Sequence, residues 1–234
     1  MDIFGNAVLD YQQGNYTEDI ITRSSLDEED IIPLPYLFRS YKSMPALEQK
    51  ALQLCKGKIL DIGSGAGSHS LYLQENGLNV TALDSSKGAI ETCKLRGIQQ
   101  VLQSDIVNYS NEHYETLLLL MNGIGLAGAL SNLNPFLLHL KSILSSNGQI
   151  ILDSSDIIFM FDTDEDGGIW IPGSTAYYGE VTFTMQYKKN KSAPFKWLYL
   201  DFNTLKDAAL TAGLDCQLIL EGEHYDYLAR LTHI

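Results

Sequence analysis

The sequence predicts an α/β fold built on a doubly wound, mostly parallel sheet, and three observations predict it. Short apolar runs alternate with helical patterns from Lys58 to Ser155, and parallel strands need crossover helices of that kind. The glycine-rich stretch "GSGAG" at 63–67 follows the first run directly and opens into a helical pattern. The run "TLLLLMN" carries unbroken leucines, as a strand buried on both faces requires.

Taken in order, residues 1–42 read as an irregular arm or lid, with the acidic run "LDEED" and the Pro-interrupted "IIPLPYLFRS". Residues 43–234 read as a single domain. It opens on "MPALEQKALQLCKG", a helix with Pro45 in its first turn, an apolar stripe of Leu47, Ala51, Leu54 and Cys55, and Gly57 as its stop. "KILDIG" is a strand, "SHSLYLQENG" a helix, "NVTALD" a strand, "SKGAIETCKLRG" a helix, and "QQVLQSD" a strand. "TLLLLMN" is the fourth strand, "NPFLLHLKSILSSNG" a helix ending at Gly148, and "QIILDSS" the fifth strand. The pattern then changes. "GEVTFTMQY" and "FKWLYLDF" alternate at period two, which predicts an antiparallel hairpin inserted over 155–201. "NTLKDAALTAG" is a helix capped by Asn203 and stopped by Gly213, and two final strand-like runs around Gly222 close one edge of the sheet.

A chain of 234 residues with 45% hydrophobic content can bury one sizeable core. A net charge of −13 repels polyanions at long range, which argues against nucleic acid and anionic membranes as partners. The one basic cluster, "YKKNKSAPFK", reads as a solvated hairpin tip. Three cysteines without paired spacing fit reduced thiols, and neither a zinc spacing nor a membrane-length apolar run is present. The expectation is a cytoplasmic protein without a metal.

The glycine turn asks which ligand it serves. In an open parallel sheet the crevice lies beyond the carboxyl ends of the strands, and glycines let the backbone turn and approach a ligand closely. A dinucleotide fingerprint would place its third glycine where Ser68 stands; here Gly63, Gly65 and Gly67 alternate instead. Asp61, two positions before Gly63, is ill suited to a pyrophosphate and well suited to a cationic ligand such as an ammonium or sulfonium. S-adenosyl-L-methionine (SAM) offers both, with an adenosine and no phosphate. Asp84 ends the second strand where a carboxylate can accept ribose hydroxyls, beside Ser85. Asp105 follows the third strand, where it can accept the adenine amino group while Ile106 touches the ring.

"LDIGSGAG", "TALDSS", "QSDI" and "LLLMNGIG" resemble the successive motifs of class I SAM-dependent methyltransferases. The resemblance implies a Rossmann-like, seven-stranded sheet of order 3-2-1-4-5-7-6 with the seventh strand antiparallel, and SAM as methyl donor. Carried over, Asp61, Gly63 and Ser64 would meet the methionine end, Gly65 and Gly67 would give clearance, and Asp84 and Ser85 would hold the ribose. Asp105 and Ile106 would hold the adenine, and Asn122 the methionyl part or the acceptor. Arg39 in the arm could pair with the SAM carboxylate or tie the arm to acidic groups.

Methyl transfer needs alignment and exclusion of water, and a base only for a protonated acceptor. Asp153, Asp156, Tyr177, Tyr178 and His69 are candidates, and each also fits a structural role, so the residues single out no catalytic base. "MNGIG" lacks the proline-bearing clamp of base and glutamine methylases, which favours another small-molecule acceptor. Trp170, Tyr177, Tyr178, Phe183, Trp197 and Tyr199 suit an apolar or planar one, and equally the core packing that aromatics at alternate strand positions more often serve. The rival readings are a non-catalytic SAM-binding protein and a nicotinamide-dependent oxidoreductase. "DTDEDGGIW" imitates a calcium loop but has Gly173 where the bidentate carboxylate belongs.

Overall fold

The computed structural model describes residues 1–161, 164, 168 and 177–234. In chain order the elements are α1 (Ile3–Gln12), β1 (Ile20–Ser24), β2 (Glu29–Ile32), α2 (Leu34–Leu37), α3 (Ala46–Leu54), β3 (Lys58–Ile62) and α4 (Ser68–Glu75). β4 (Asn79–Asp84), α5 (Lys87–Leu95), β5 (Val101–Gln103), β6 (Tyr114–Leu119), α6 (Leu130–Ser142) and β7 (Leu144–Ser155) complete the alternating part. Then come β8 (Glu180–Tyr187), β9 (Asn190–Lys191), β10 (Phe195–Leu198), α7 (Phe202–Thr211), β11 (Leu214–Glu221) and β12 (Asp226–His233).

The large sheet has seven strands in the order β11-β12-β7-β6-β3-β4-β5. Pairing is parallel from β7 through β5, and β12 joins β7 antiparallel, which is the expected topology. Burial explains the unbroken leucines of β6. Leu117 and Leu119 join the cluster under α6 and α7, while Leu118 joins the one under α3 and α4, so both faces are covered. Each such leucine removed from water contributes about 1.5–3 kcal/mol.

A second sheet has the order β10-β8-β1-β2, with the short β9 paired to β8. The hairpin after the fifth strand is present as β8 and β10, antiparallel from Phe195↔Phe183 to Leu198↔Glu180. The arm is not irregular as expected. Its β1 pairs with β8 along Ile21↔Gln186 to Ser24↔Phe183, so arm and insertion share one sheet. The arm's α1 docks on α5 through two glycines: a Cβ on Gly88 would lie 2.3 Å from the Gly5 carbonyl oxygen. Asp2 caps α1 by accepting from Gly5 N and also accepts from Ser86 Oγ and Gly88 N.

Three local expectations change. α6 ends at Ser142 rather than Gly148, because Leu144 already pairs with Tyr114 as the start of β7. α7 is capped by Asp201, which accepts from Thr204 N at 2.9 Å, while Asn203 lies inside the first turn. Lys188 in the basic hairpin is not free in solvent: its Nζ bonds Asp10 of α1 at 2.6 Å. The acidic loop dismissed as a calcium site, like Trp170, falls largely outside the described residues. Among the described residues no helix is long and apolar enough to cross a membrane.

Candidate active site

The glycine turn leaves β3 and is clipped at once to β4, since Gly63 N and Ser64 N both donate to the Leu83 carbonyl, at 2.9 and 3.0 Å. Gly63, Gly65 and Gly67 have φ of 73°, 54° and 80°, conformations that penalise any side chain. Their surroundings differ. A Cβ on Gly63 would find only Leu126 Cδ1 at 3.7 Å, so its free side faces the cavity. A Cβ on Gly67 would meet Ile98 Cδ1 at 2.4 Å and Cys93 Sγ at 2.8 Å. Gly67 therefore serves helix packing behind the turn, whereas clearance for a ligand had been expected of it.

The carboxylates stand at the strand ends. Asp61 is 2% exposed and accepts from Ser70 Oγ at 2.7 Å. Burial raises its carboxyl above the ordinary range, against the opposing influence of His69 and Ser70. Asp84 receives Gly65 N on Oδ2 at 2.9 Å and Ser86 N on Oδ1 at 2.8 Å, and burial raises it too. Each oxygen accepts one backbone N–H bond and carries a further lone pair. Asp105 lies past β5 and caps a single 3-10 turn by accepting from Val107 N at 3.2 Å. Ile106 beside it is buried, and its carbonyl accepts from His139 Nε2 at 2.7 Å.

The turn after β6 is built by Asp153. Its carboxylate accepts from the backbone N–H groups of Met121, Asn122 and Gly123, which holds Met121 and Asn122 at positive φ, 63° and 56°. Desolvation pushes the Asp153 carboxyl up to about 6, with those N–H bonds opposing. The Asn122 amide is committed as well: Nδ2 donates to the Leu198 carbonyl at 3.0 Å and Oδ1 accepts from Ser154 Oγ at 2.8 Å. It joins the β6 turn to the strand that lines the second sheet.

One large cavity of about 1190 Å³ opens between the carboxyl edge of the parallel sheet and a face of the second sheet. Arg39, Asp61, Gly63, Ser64, Gly65, Asp84, Ser85, Asp105, Ile106 and Asn122 all line it; Gly67 does not. Of the five candidate bases, only His69 lines it. Asp156 and Tyr178 bond each other at 2.8 Å beside a smaller cavity of about 600 Å³, and Tyr177 donates to Asp201 at 2.7 Å.

A buried charge cluster escaped the sequence reading. Glu48 of α3, 4% exposed, bonds Arg39 Nη2 through one oxygen and lies 2.9 Å from His69 Nε2 through the other. Burial alone would raise the Glu48 carboxyl, but His69 and Arg39 outweigh it and hold the group below its ordinary value. The only sequence signal was an acid beside Leu47 on a short helix, which also describes any solvated glutamate. The cluster joins the arm, α3 and α4 under the cavity floor.

A doubly wound sheet of this order, with a glycine turn and carboxylates at the tips of neighbouring strands, defines a Rossmann-like protein with its ligand crevice at those tips. The family described as "Methyltransferase domain" matches residues 60–152. The crystal structure of a SAM-dependent methyltransferase from Bacteroides fragilis, in complex with S-adenosyl-L-homocysteine (SAH), is 43% identical over 99% of this chain and 94% of that one, with a TM-score of 0.91. The CcbJ methyltransferase from Streptomyces caelestis shares the fold at 11% identity, covering 84% of this chain and 99% of that one, with a TM-score of 0.63. A tRNA (uracil(54)-C(5))-methyltransferase from Pyrococcus abyssi is 39% identical over 75 residues, 31% of this chain and 18% of that protein. The chain belongs to the class I SAM-dependent methyltransferases. Its cofactor is SAM, with SAH as product, and the oxidoreductase reading is set aside.

Proposed function

We propose that the chain methylates a small molecule held between its two sheets, with SAM lying across the tips of β3, β4 and β5. The observation that carries this reading is the cavity of about 1190 Å³, with carboxylates on one wall and aromatics on the other. Its volume of about 1190 Å³ exceeds the roughly 300–1,000 Å³ usual for one ligand, so it has room for a cofactor and an acceptor.

The cofactor fits the donor set of this crevice. Gly63 leaves open space where a side chain would stand, and the lone pairs remaining on Asp84 suit ribose hydroxyls. Asp61 and Ser64 lie at the methionyl end, Gly65 and Ser85 flank the ribose, and Asp105 with Ile106 borders the adenine. Arg39 acts through Glu48 and His69 as part of the floor, and Asn122 acts by setting the turn. When bound, SAM supplies an electrophilic methyl group on a sulfonium. The protein aligns the acceptor with it and excludes water. In the domain formed by 43–234, the acceptor half is covered by β1 and β2 of the arm (1–42) and by β8 and β10 of the insertion (155–201). The charge of −13 supports an acceptor other than nucleic acid, and three unpaired cysteines support a cytoplasmic setting.

Calorimetry with SAH tests the crevice: Asp84→Ala is expected to weaken binding by about 1.5–3 kcal/mol, the range for hydrogen bonds to a charged group. Unchanged affinity would refute the ribose assignment. Incubation with labelled SAM, offered a metabolite extract and bulk tRNA in parallel, tests the acceptor. Label appearing in tRNA would overturn the small-molecule reading.

A further inference from the structure

The acceptor half of the cavity is lined by an aromatic shelf. Tyr199 just beyond β10, Phe183 on β8, then Phe195 and Trp197 on β10 follow one another in that order, with ring centroids 6.1 to 6.4 Å apart. All four are only half-buried, and among the described residues none belongs to, or packs against, an apolar core cluster. Large rings left half-wet on a concave wall forgo burial that each would otherwise gain, and such a surface marks a binding site.

The shelf is fixed against the methyl-donor side. A Cβ on Gly125 would lie 2.1 Å from the Trp197 indole nitrogen, so this glycine lets the ring lie against the turn after β6. The Asn122–Leu198 bond ties the same turn to the same strand.

Charge narrows the class of ligand. On this side the lining includes Glu28 and Asp30, and the Asp30 charge helps burial raise the Tyr199 phenol. The second sheet contributes no lysine or arginine to the described lining. Of the two such residues elsewhere on it, Arg39 is neutralised by Glu48 and Lys87 stands at the start of α5, beyond β4 of the parallel sheet. Ring faces and a rim of carboxylates attract cations and repel anions.

We infer that the acceptor is a planar, largely apolar molecule that is neutral or cationic, stacked on Phe183, Phe195, Trp197 and Tyr199 with its positive end, where present, toward Glu28 and Asp30. This rests on the cofactor placement proposed above. The test uses the full chain saturated with SAH, whose binding is measured first, and three phenols of one shape: tyramine, p-cresol and 4-hydroxyphenylacetate. Calorimetry at millimolar probe is expected to rank tyramine at or above p-cresol, and 4-hydroxyphenylacetate about tenfold or more below both. Asp30→Asn with Glu28→Gln should erase the preference for tyramine, and Trp197→Leu should weaken tyramine and p-cresol while SAH binding persists. Phe195→Leu gives a second reading of the shelf if the tryptophan variant does not fold. Preference for 4-hydroxyphenylacetate, or no binding of any probe to a chain that binds SAH, overturns the inference. Failure to bind SAH overturns the cofactor placement, and this inference with it.

Discussion

Asp153 spends its carboxylate on three backbone N–H groups, and through them it sustains two consecutive non-glycine residues at positive φ beside the cavity. Its carboxyl titrates at about 6 in the folded chain and near about 4 in the unfolded one, so the folded chain holds the proton longer. The contribution of this group to stability therefore falls as pH rises from about 4 to about 6, and is level above. Urea unfolding at several pH values should show the advantage of the wild type over Asp153→Asn shrinking across that window; a constant difference would refute the assignment. Glu48 has the opposite sign. Its lowered carboxyl contributes stability above the ordinary carboxylate range and loses it as pH falls. Glu48→Gln leaves Arg39 buried beside a neutral partner and is expected to cost about 3–5 kcal/mol at neutral pH. A loss below 1 kcal/mol, on the scale of surface pairs, would show the cluster to be solvated.

Among the elements, α1 shows how a few atoms attach an arm to a fold. Gly88 lies inside α5, where alanine is intrinsically better by about 1 kcal/mol, yet its Cβ would enter the Gly5 backbone. Gly88→Ala is expected to leave α5 intact and undock α1, seen as faster hydrogen exchange across residues 3–12 with β3 and β6 still protected. Equal protection of α1 in both proteins would show that the glycine crossing does not hold it. Legibility followed the same division. β3, β4, β6 and β7 could be read because central strands carry dense apolar runs between helices. β1 and β2 could not, since their four or five residues sit among acids and join a larger sheet only through the pairing of β1 with β8, far along the chain. The end of α6 was misjudged because "ILSSNG" offers a glycine stop, while the pairing of Leu144 with Tyr114 depends on a neighbouring strand.

For the whole molecule, the two sheets line one large cavity and leave the thiols buried. Cys55, Cys93 and Cys216 are buried and free, and burial pushes each thiol up to about 12. A disulfide reagent at neutral pH should label none of them in the native protein within minutes and all three in guanidinium; rapid native labelling would mean that the core opens.

The glycine turn and the strand-end acids that line the cavity were readable because each is local. Glycines that must adopt positive φ, and acids directly beyond apolar strands, announce themselves within a few residues. The aromatic wall of the cavity was readable only as a surplus of aromatics, because it exists only once arm and insertion pair with each other. From the sequence alone came the parallel sheet, the crevice at its carboxyl edge and the adenosine sulfonium it suits, all consequences of spacing along one stretch of chain. The tertiary structure alone decided that Arg39 meets Glu48, that Asn122 bonds Leu198, and that Gly67 lies against Cys93 and Ile98. Those outcomes depend on which distant groups compete for the same hydrogen bonds and the same space.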